Sequence, residues 1–285
     1  MVSPGWARRA RYARAMLILV ALIGCGSGEQ LLDLPPTEVL AYTSTDGETW
    51  QRAPEPLVHD FQSLGLQVQP DGEIRVTGMR VGQVESWWER TFSGTRVRGY
   101  TRRDGQWEPA SWVVDDPDSK AFIDPQWFGD ELWYMATEGE GGDPVGPERV
   151  NRVRSSPPAA TRYEGKGVAD PSPVKFADHT FLFVTSWPIR VEQLEEQADG
   201  SFVLVGDWAS YTVPYAVVVG DELWLYATQN VEGRRHPVRT KSRDGHTWTP
   251  FAPVVPWDSA ASCTSPVMGH SGDEWLLLCV DEGNH

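Results

Sequence analysis

Residues 217–228 read VVVGDELWLYAT, and residues 127–137 read WFGDELWYMAT. Each is a run of apolar and β-branched residues, a Gly-Asp pair, and a second apolar run. That is the pattern of a β-hairpin with a tight turn. KFADHTFLFVT (175–185) and MGHSGDEWLLLCV (268–280) fit the same template, and LQVQPDGEIRVTGM (66–79) fits it more loosely. Elsewhere the chain alternates short Val-, Trp-, Tyr- and Phe-rich runs with Gly, Asp and Pro clusters. Long apolar stretches of helical period do not occur, so the domain reads as all-β.

An anchor position precedes each hairpin: Asp60, Asp124, Asp170, Val213 and Ser265, spaced 64, 46, 43 and 52 residues apart. A proline follows the last four directly (Pro125, Pro171, Pro214, Pro266). A more polar pair of strands follows each of the first four hairpins, at 96–112, 148–164, 189–208 and 238–251. Repeats of roughly 40–50 residues with about four strands each indicate a β-propeller. The fifth hairpin ends at Asp281 with no outer pair of its own. The chain begins with an outer pair that lacks a hairpin, VLAYTSTDGETWQRAP (39–54). The expectation is a five-bladed β-propeller over residues 38–285, its last blade closed by the N-terminal strands, so that no strand edge stays open at the seam.

STDGETW (44–50) and SRDGHTW (242–248) fall at one equivalent place, the turn between a blade's two outer strands, with RRDGQW (102–107) as a weaker echo. Asp accepts nearby backbone N–H groups and Gly takes positive φ. These stretches resemble the Asp-box of sialidase-like propellers, which implies a structural turn far from the ligand face. Trp50, Trp107 and Trp248 are then packing residues. Trp133, Trp224 and Trp275, on the second hairpin strands, are expected between blades.

At the N-terminus four arginines (Arg8, Arg9, Arg11, Arg14) precede a short apolar run. The run is too short for a membrane span and fits a secretory leader. Leu22-Ile23-Gly24-Cys25 resembles a bacterial lipobox. The resemblance implies cleavage of a signal peptide at 1–24, lipid on Cys25, and a tether at 25–37. The alternative is an ordinary leader with an incidental cysteine. With Gly26, Ser27 and Gly28 following, the similarity implies a lipid-anchored place in the bacterial envelope, at the outer membrane, with membrane contact through the lipid alone. Loss of the leader removes four positive charges and no acidic residue, taking the formal net charge from −15 to −19. Such a surface repels nucleic acid, whose binding depends on Lys and Arg at phosphates. Cys263 and Cys279 flank the last hairpin turn, HSGD, and lie opposite each other. An oxidising compartment favours a disulfide between them; two buried free thiols are the alternative.

Ligands of propellers bind at the central channel, near where the innermost strands begin, and three consecutive anchors there are acidic. FIDPQWFGDELWYMAT and ADPSPVKFADHTFLFVT resemble the strand openings of five-bladed glycoside hydrolases of families 43 and 32. The resemblance implies a catalytic set: Asp60 as base, Asp124 as the carboxyl that tunes its neighbour, and Asp170 at the position of the family's acid. That acid is usually Glu, and VHDFQS lacks the Pro that follows the first Asp in the family. The other reading of Asp-Pro at a strand start is turn chemistry. Trp127, Trp187 and His59 are candidate substrate contacts, since aromatic faces suit sugar rings; Trp87 and Trp88 sit in an insertion of blade one. The six histidines show no zinc-ligand spacing. No cofactor is implied; surplus carboxylates could hold calcium at the channel, without a calcium-loop pattern. Two readings result: a propeller that binds a carbohydrate or a surface protein, and a glycoside hydrolase using the acidic set.

Overall fold

A computed structural model describes residues 37–54, 56–59, 61–80, 96–114, 116, 123–136, 150–255 and 262–281. The leader, Cys25, the tether up to residue 36, Asp60 and the Trp87–Trp88 insertion lie outside the described residues. Among the described residues every regular element is a strand. The chain starts with β1 (Glu38–Ser44), β2 (Gln51–Arg52) and the short β3 (Val58–His59). Blade one is β4 (Phe61–Val68), β5 (Ile74–Arg80), β6 (Arg96–Arg103) and β7 (Gln106–Val113). Blade two is β8 (Ile123–Phe128), β9 (Glu131–Ala136), β10 (Val150–Ser156) and β11 (Ala160–Lys166). Blade three is β12 (Ala169–Phe176), β13 (His179–Ser186), β14 (Arg190–Glu196) and β15 (Phe202–Ala209). Blade four is β16 (Tyr211–Val219), β17 (Glu222–Val231), β18 (Arg234–Ser242) and β19 (Ala252–Pro253). Blade five takes β20 (Thr264–Ser271) and β21 (Glu274–Asp281) from the C-terminal part.

In blade five the strand order is β20-β21-β1-β2, so the chain's first strands complete its last blade. The pairing of β1 with β21 runs from Glu38↔Asp281 to Ser44↔Trp275. The five-bladed, self-closed propeller expected from the repeat is therefore the fold. The Cys263–Cys279 disulfide is present, with Cα atoms 5.4 Å apart.

Burial follows strand position. The second strands are nearly all buried, as in β9 and β17, because each lies between two neighbouring blades. That is why these segments read as unbroken apolar runs. The outermost strands alternate, as in β7 and β15, with one face on the next blade and one in solvent. The inner hairpin turns place positive φ at Gly129, Ala177, Gly220 and Gly272, the first residue of each two-residue turn. Glycine adopts that conformation without strain, which explains its use at three of the four. The tryptophans of the second strands pack between blades. Trp224 stacks on Trp275 at 5.7 Å, and Trp133 meets Phe202 edge-on at 6.2 Å.

The two full copies of the turn motif are built alike. Asp46 Oδ1 accepts from the N–H groups of Glu48 and Thr49 at 2.8 and 2.7 Å, while Gly47 N–H donates to Ser44 Oγ. Asp244 repeats this with His246 and Thr247 at 2.8 and 2.6 Å, and Gly245 N–H with Ser242 Oγ. These bonds hold both carboxyls well below the usual carboxylate range. The RRDGQW echo differs. There Asp104 and Gly105 both take positive φ between Arg103 and Gln106, which pair directly. It lacks the Ser and Thr that complete the cage, and it closes as a plain two-residue hairpin.

At the axis, Tyr215 Oη lies 3.1 Å from the Leu66 carbonyl and 2.9 Å from the Met268 carbonyl, joining blade four to blades one and five. On the strand-end side of it is a cavity of about 640 Å³, lined largely by apolar residues that include Leu66, Trp127, Val217 and Trp275. Off the axis, Asp116 takes a bidentate contact from Arg154, at 2.6 and 2.8 Å, and a hydrogen bond from Tyr134. Both Asp116 and Arg154 are buried.

Replacing both Cys263 and Cys279 by Ser should lower the unfolding free energy by about 3 kcal/mol, since the bridge closes a short loop in the unfolded chain. Asp116→Ala should cost about 3–5 kcal/mol, because it leaves the Arg154 guanidinium buried without its counter-charge. Urea unfolding midpoints check both.

Candidate functional site

The anchor positions are built by one backbone device. Asp124, Asp170, Val213 and Ser265 all have φ between 51° and 52°. Each sits in a register shift of its inner hairpin: Ile123/Gln126, Ala169/Ser172, Thr212/Tyr215 and Thr264/Val267. A bulge of this kind re-aims a side chain and bends the strand. Asp tolerates positive φ better than most residues, whereas a β-branched Val there is strained. Val213 nevertheless adopts it. The surroundings impose the conformation, and the backbone does not by itself require aspartate in blades two and three.

What the two aspartates add is a carboxyl pair. The Asp124 side chain is buried and Asp170 is half-buried. The two carboxyls are hydrogen-bonded to each other. Burial first, then the charge and hydrogen bond of Asp170, push the Asp124 carboxyl well above the usual range; the Ser63 hydroxyl and the Asp170 N–H oppose this. Asp170 is also raised by burial, against the pull of the Thr185 hydroxyl, Asp124, the Arg235 charge and the Val213 N–H. Two like charges in contact cannot both ionise cheaply, so the pair keeps one proton, held on Asp124. The same bonds link blades. The Asp170 N–H reaches Asp124, and the Val213 N–H reaches Asp170 as well as Thr185 Oγ1, at 2.8 Å from the latter.

Hydrolysis of a glycosidic bond needs two carboxyls about 5–9.5 Å apart, one on each side of the bond. Asp124 and Asp170 in contact act as one proton-sharing unit. The group across such a bond would have to be Asp60, which lies outside the described residues.

Trp187 lies in the turn between β13 and β14, and Thr185 of β13 pairs with Ala169 at the start of β12, so Trp187 stands on the same side of blade three as Asp170. It is 53% exposed. Trp127 lines the cavity beyond Tyr215 and meets Trp112 edge-on at 5.3 Å. The backbone of His59 pairs with Glu38, and its side chain lies outside the described residues. The structure also brings Thr228, Thr264, Ser265, His236 and Ser262 to the acidic end, all buried. Of these, sequence reasoning marked only Ser265, as an anchor; it did not find the other four or Arg235. These lie where second strands end and where third and inner strands begin, on blades four and five, and no local pattern marks them.

The sequence matches no family model and no curated protein. Among solved structures the fold is similar to a thermostable family-43 glycoside hydrolase, with TM-score 0.54 and 10% identity, over 80% of this chain and 90% of that one. It is also similar to the Cellvibrio cellulosa α-L-arabinanase complexed with arabinohexaose, with TM-score 0.54 and 10% identity, over 77% and 86%. A protein of unknown function from Dyadobacter fermentans matches with TM-score 0.52 and 12% identity, over 90% and 86%. At such identities the likeness is one of fold: a five-bladed propeller of the glycoside hydrolase family 43 type.

The shared proton sets a pH dependence. A carboxyl raised by folding contributes stability that is fully present below its unfolded value, about 3.9, and is lost as pH rises through its folded value. Wild-type stability should therefore fall with rising pH in this range. Asp124→Asn, whose Nδ2 can donate to Asp170 as the protonated acid does, should flatten the slope. Urea midpoints for both proteins between pH 4 and 8 check this; parallel slopes would show that Asp124 does not hold the proton.

Proposed function

We propose that this protein is an envelope-anchored propeller that binds carbohydrate at the channel end where its inner strands begin. The observation that carries the reading is the Asp124–Asp170 carboxyl pair, with the exposed Trp187 beyond the adjacent strand end of the same blade as Asp170. A half-exposed indole gives an apolar face for the C–H face of a sugar ring. The half-buried Asp170 carboxyl, which takes the proton's hydrogen bond from Asp124, leaves acceptor capacity for hydroxyl groups. The fold's likeness to a family-43 glycoside hydrolase and to an arabinanase that holds arabinohexaose supports a carbohydrate over other small molecules. The lipobox-like Leu22–Cys25 supports anchoring by lipid on Cys25.

A hydrolase is the second reading, and one observation favours it: a carboxyl kept protonated beside an ionised partner is how an acid is held ready at neutral pH. In that reading Asp60 is the base and Asp124 governs the proton inventory. The contact between Asp124 and Asp170, and Asp in place of Glu on blade three, favour binding.

The test uses the full chain in detergent against arabinan, xylan, fructan and host-type glycans, followed for binding by calorimetry and for reducing-sugar release. Binding without release, weakened roughly tenfold by Trp187→Ala, supports the first reading. Release that Asp124→Asn and Asp60→Asn abolish supports the second. Neither binding nor release by folded protein overturns both. For the anchor, Cys25→Ser should move the protein from the membrane fraction to the soluble one.

A further inference from the structure

A cluster of metal-ligating side chains lies away from the acidic end of the channel. His179 opens β13, Glu195 is on β14 opposite Phe181, and His246 is in the Ser242–Trp248 turn of the neighbouring blade. One ligand atom from each lies within 4.8 Å of those of the other two. His179 Nδ1 is 2.5 Å from Glu195 Oε1. The rings are set by packing. His179 stacks on Phe181 at 5.8 Å, while His246 stands edge-on to both, 5.5 Å from each. His246 is carried on a stiff support, since Asp244 caps its N–H and Gln193 Nε2 donates to the Gly245 carbonyl at 2.6 Å. A side chain at Gly245 would meet the Phe181 ring at 2.7 Å, so the turn lies flat against blade three.

We propose that His179, Glu195 and His246 form a binding site for a divalent transition-metal ion of the zinc class, which clips blade four to blade three. Two imidazoles and a carboxylate are a donor set that favours zinc, copper, nickel or cobalt over calcium and magnesium, which prefer oxygen alone. Four-coordinate zinc with ligands at about 2.0–2.2 Å places them roughly 3.3 Å apart. The cluster approaches that spacing, and small rotations of exposed side chains complete it. On binding, the ion takes the place of the proton between His179 Nδ1 and Glu195 Oε1. In a neutral imidazole that hydrogen is relocated to Nε2, which frees Nδ1 to ligate, and the contact opens to the edge length of the tetrahedron. Both histidines are exposed, so water fills the fourth position. The ion crosses a blade boundary that backbone ladders do not cross. Its effect is on stability, independent of what the acidic end binds.

The test titrates the metal-free full chain in detergent with zinc chloride. One equivalent should bind and raise Tm by about 5 °C at saturation. Magnesium and calcium should do neither. Cobalt in place of zinc should give the visible absorption of a four-coordinate site. His179→Ala and His246→Ala should each abolish tight binding while keeping the β-sheet circular dichroism, and Glu195→Gln should weaken it roughly tenfold. Absence of a stoichiometric site in the wild type, or binding unchanged in both histidine variants, overturns the proposal.

Discussion

The inner strand of each blade has a ladder partner on one side only, so its other edge reaches the axis with buried N–H and C=O groups to satisfy. Leaving such groups unpaired is costly. The structure meets the demand with side chains. Thr77 donates to the Pro125 carbonyl and Gln126 to the Leu64 carbonyl, while Ser172 Oγ accepts from the Ala216 N–H. Tyr215 reaches two carbonyls across the axis. The repeated bulge at positive φ belongs to the same solution, since at β12 and β16 the N–H groups of Asp170 and Val213 reach Asp124 and Asp170 of the preceding blade. Closure by β1, the burial of the second strands and the cavity beyond Tyr215 follow once the inner strands are held this way.

The acidic end takes its chemistry from that framework. Where the latching residue is aspartate in two successive blades, the side chains that accept the next blade's N–H also meet each other. Their proximity forces a shared proton, so one arrangement serves blade-to-blade docking and supplies an unusual pair of carboxyls. A structural and a ligand-binding role are thus compatible in Asp124 and Asp170. Val213 marks the point where the latch is no longer acidic while the backbone device persists.

The turn motif has a comparable double character. Asp46 and Asp244 hold their loops by the same hydrogen bonds, and both turns are structural. Only the second places an imidazole at its exposed corner, against a blade that offers another imidazole and a carboxylate. The two copies therefore agree in conformation and differ at two residues, Thr45 against Arg243 and Glu48 against His246, of which the second brings the imidazole.

Repetition made the architecture legible. Each blade must bury its second strand, and blades two to five turn their inner hairpins within two residues, so Gly-Asp recurs in three of them and an outer pair without a hairpin points to closure. Cys263 and Cys279 were readable because both lie in one hairpin. The anchors were readable as positions, through Asp-Pro and its spacing. Their positive φ was not, because Val and Ser share it, and neither was the contact between Asp124 and Asp170, which depends on how two blades meet. The histidines show the same division: no spacing suits a metal, yet His179, Glu195 and His246 converge. Periodicity and turn chemistry act within one hairpin, so sequence alone determined strands, blades, closure and the disulfide. Proton sharing and metal-ligand geometry arise between side chains of different blades, and only the packing of blade on blade decided those.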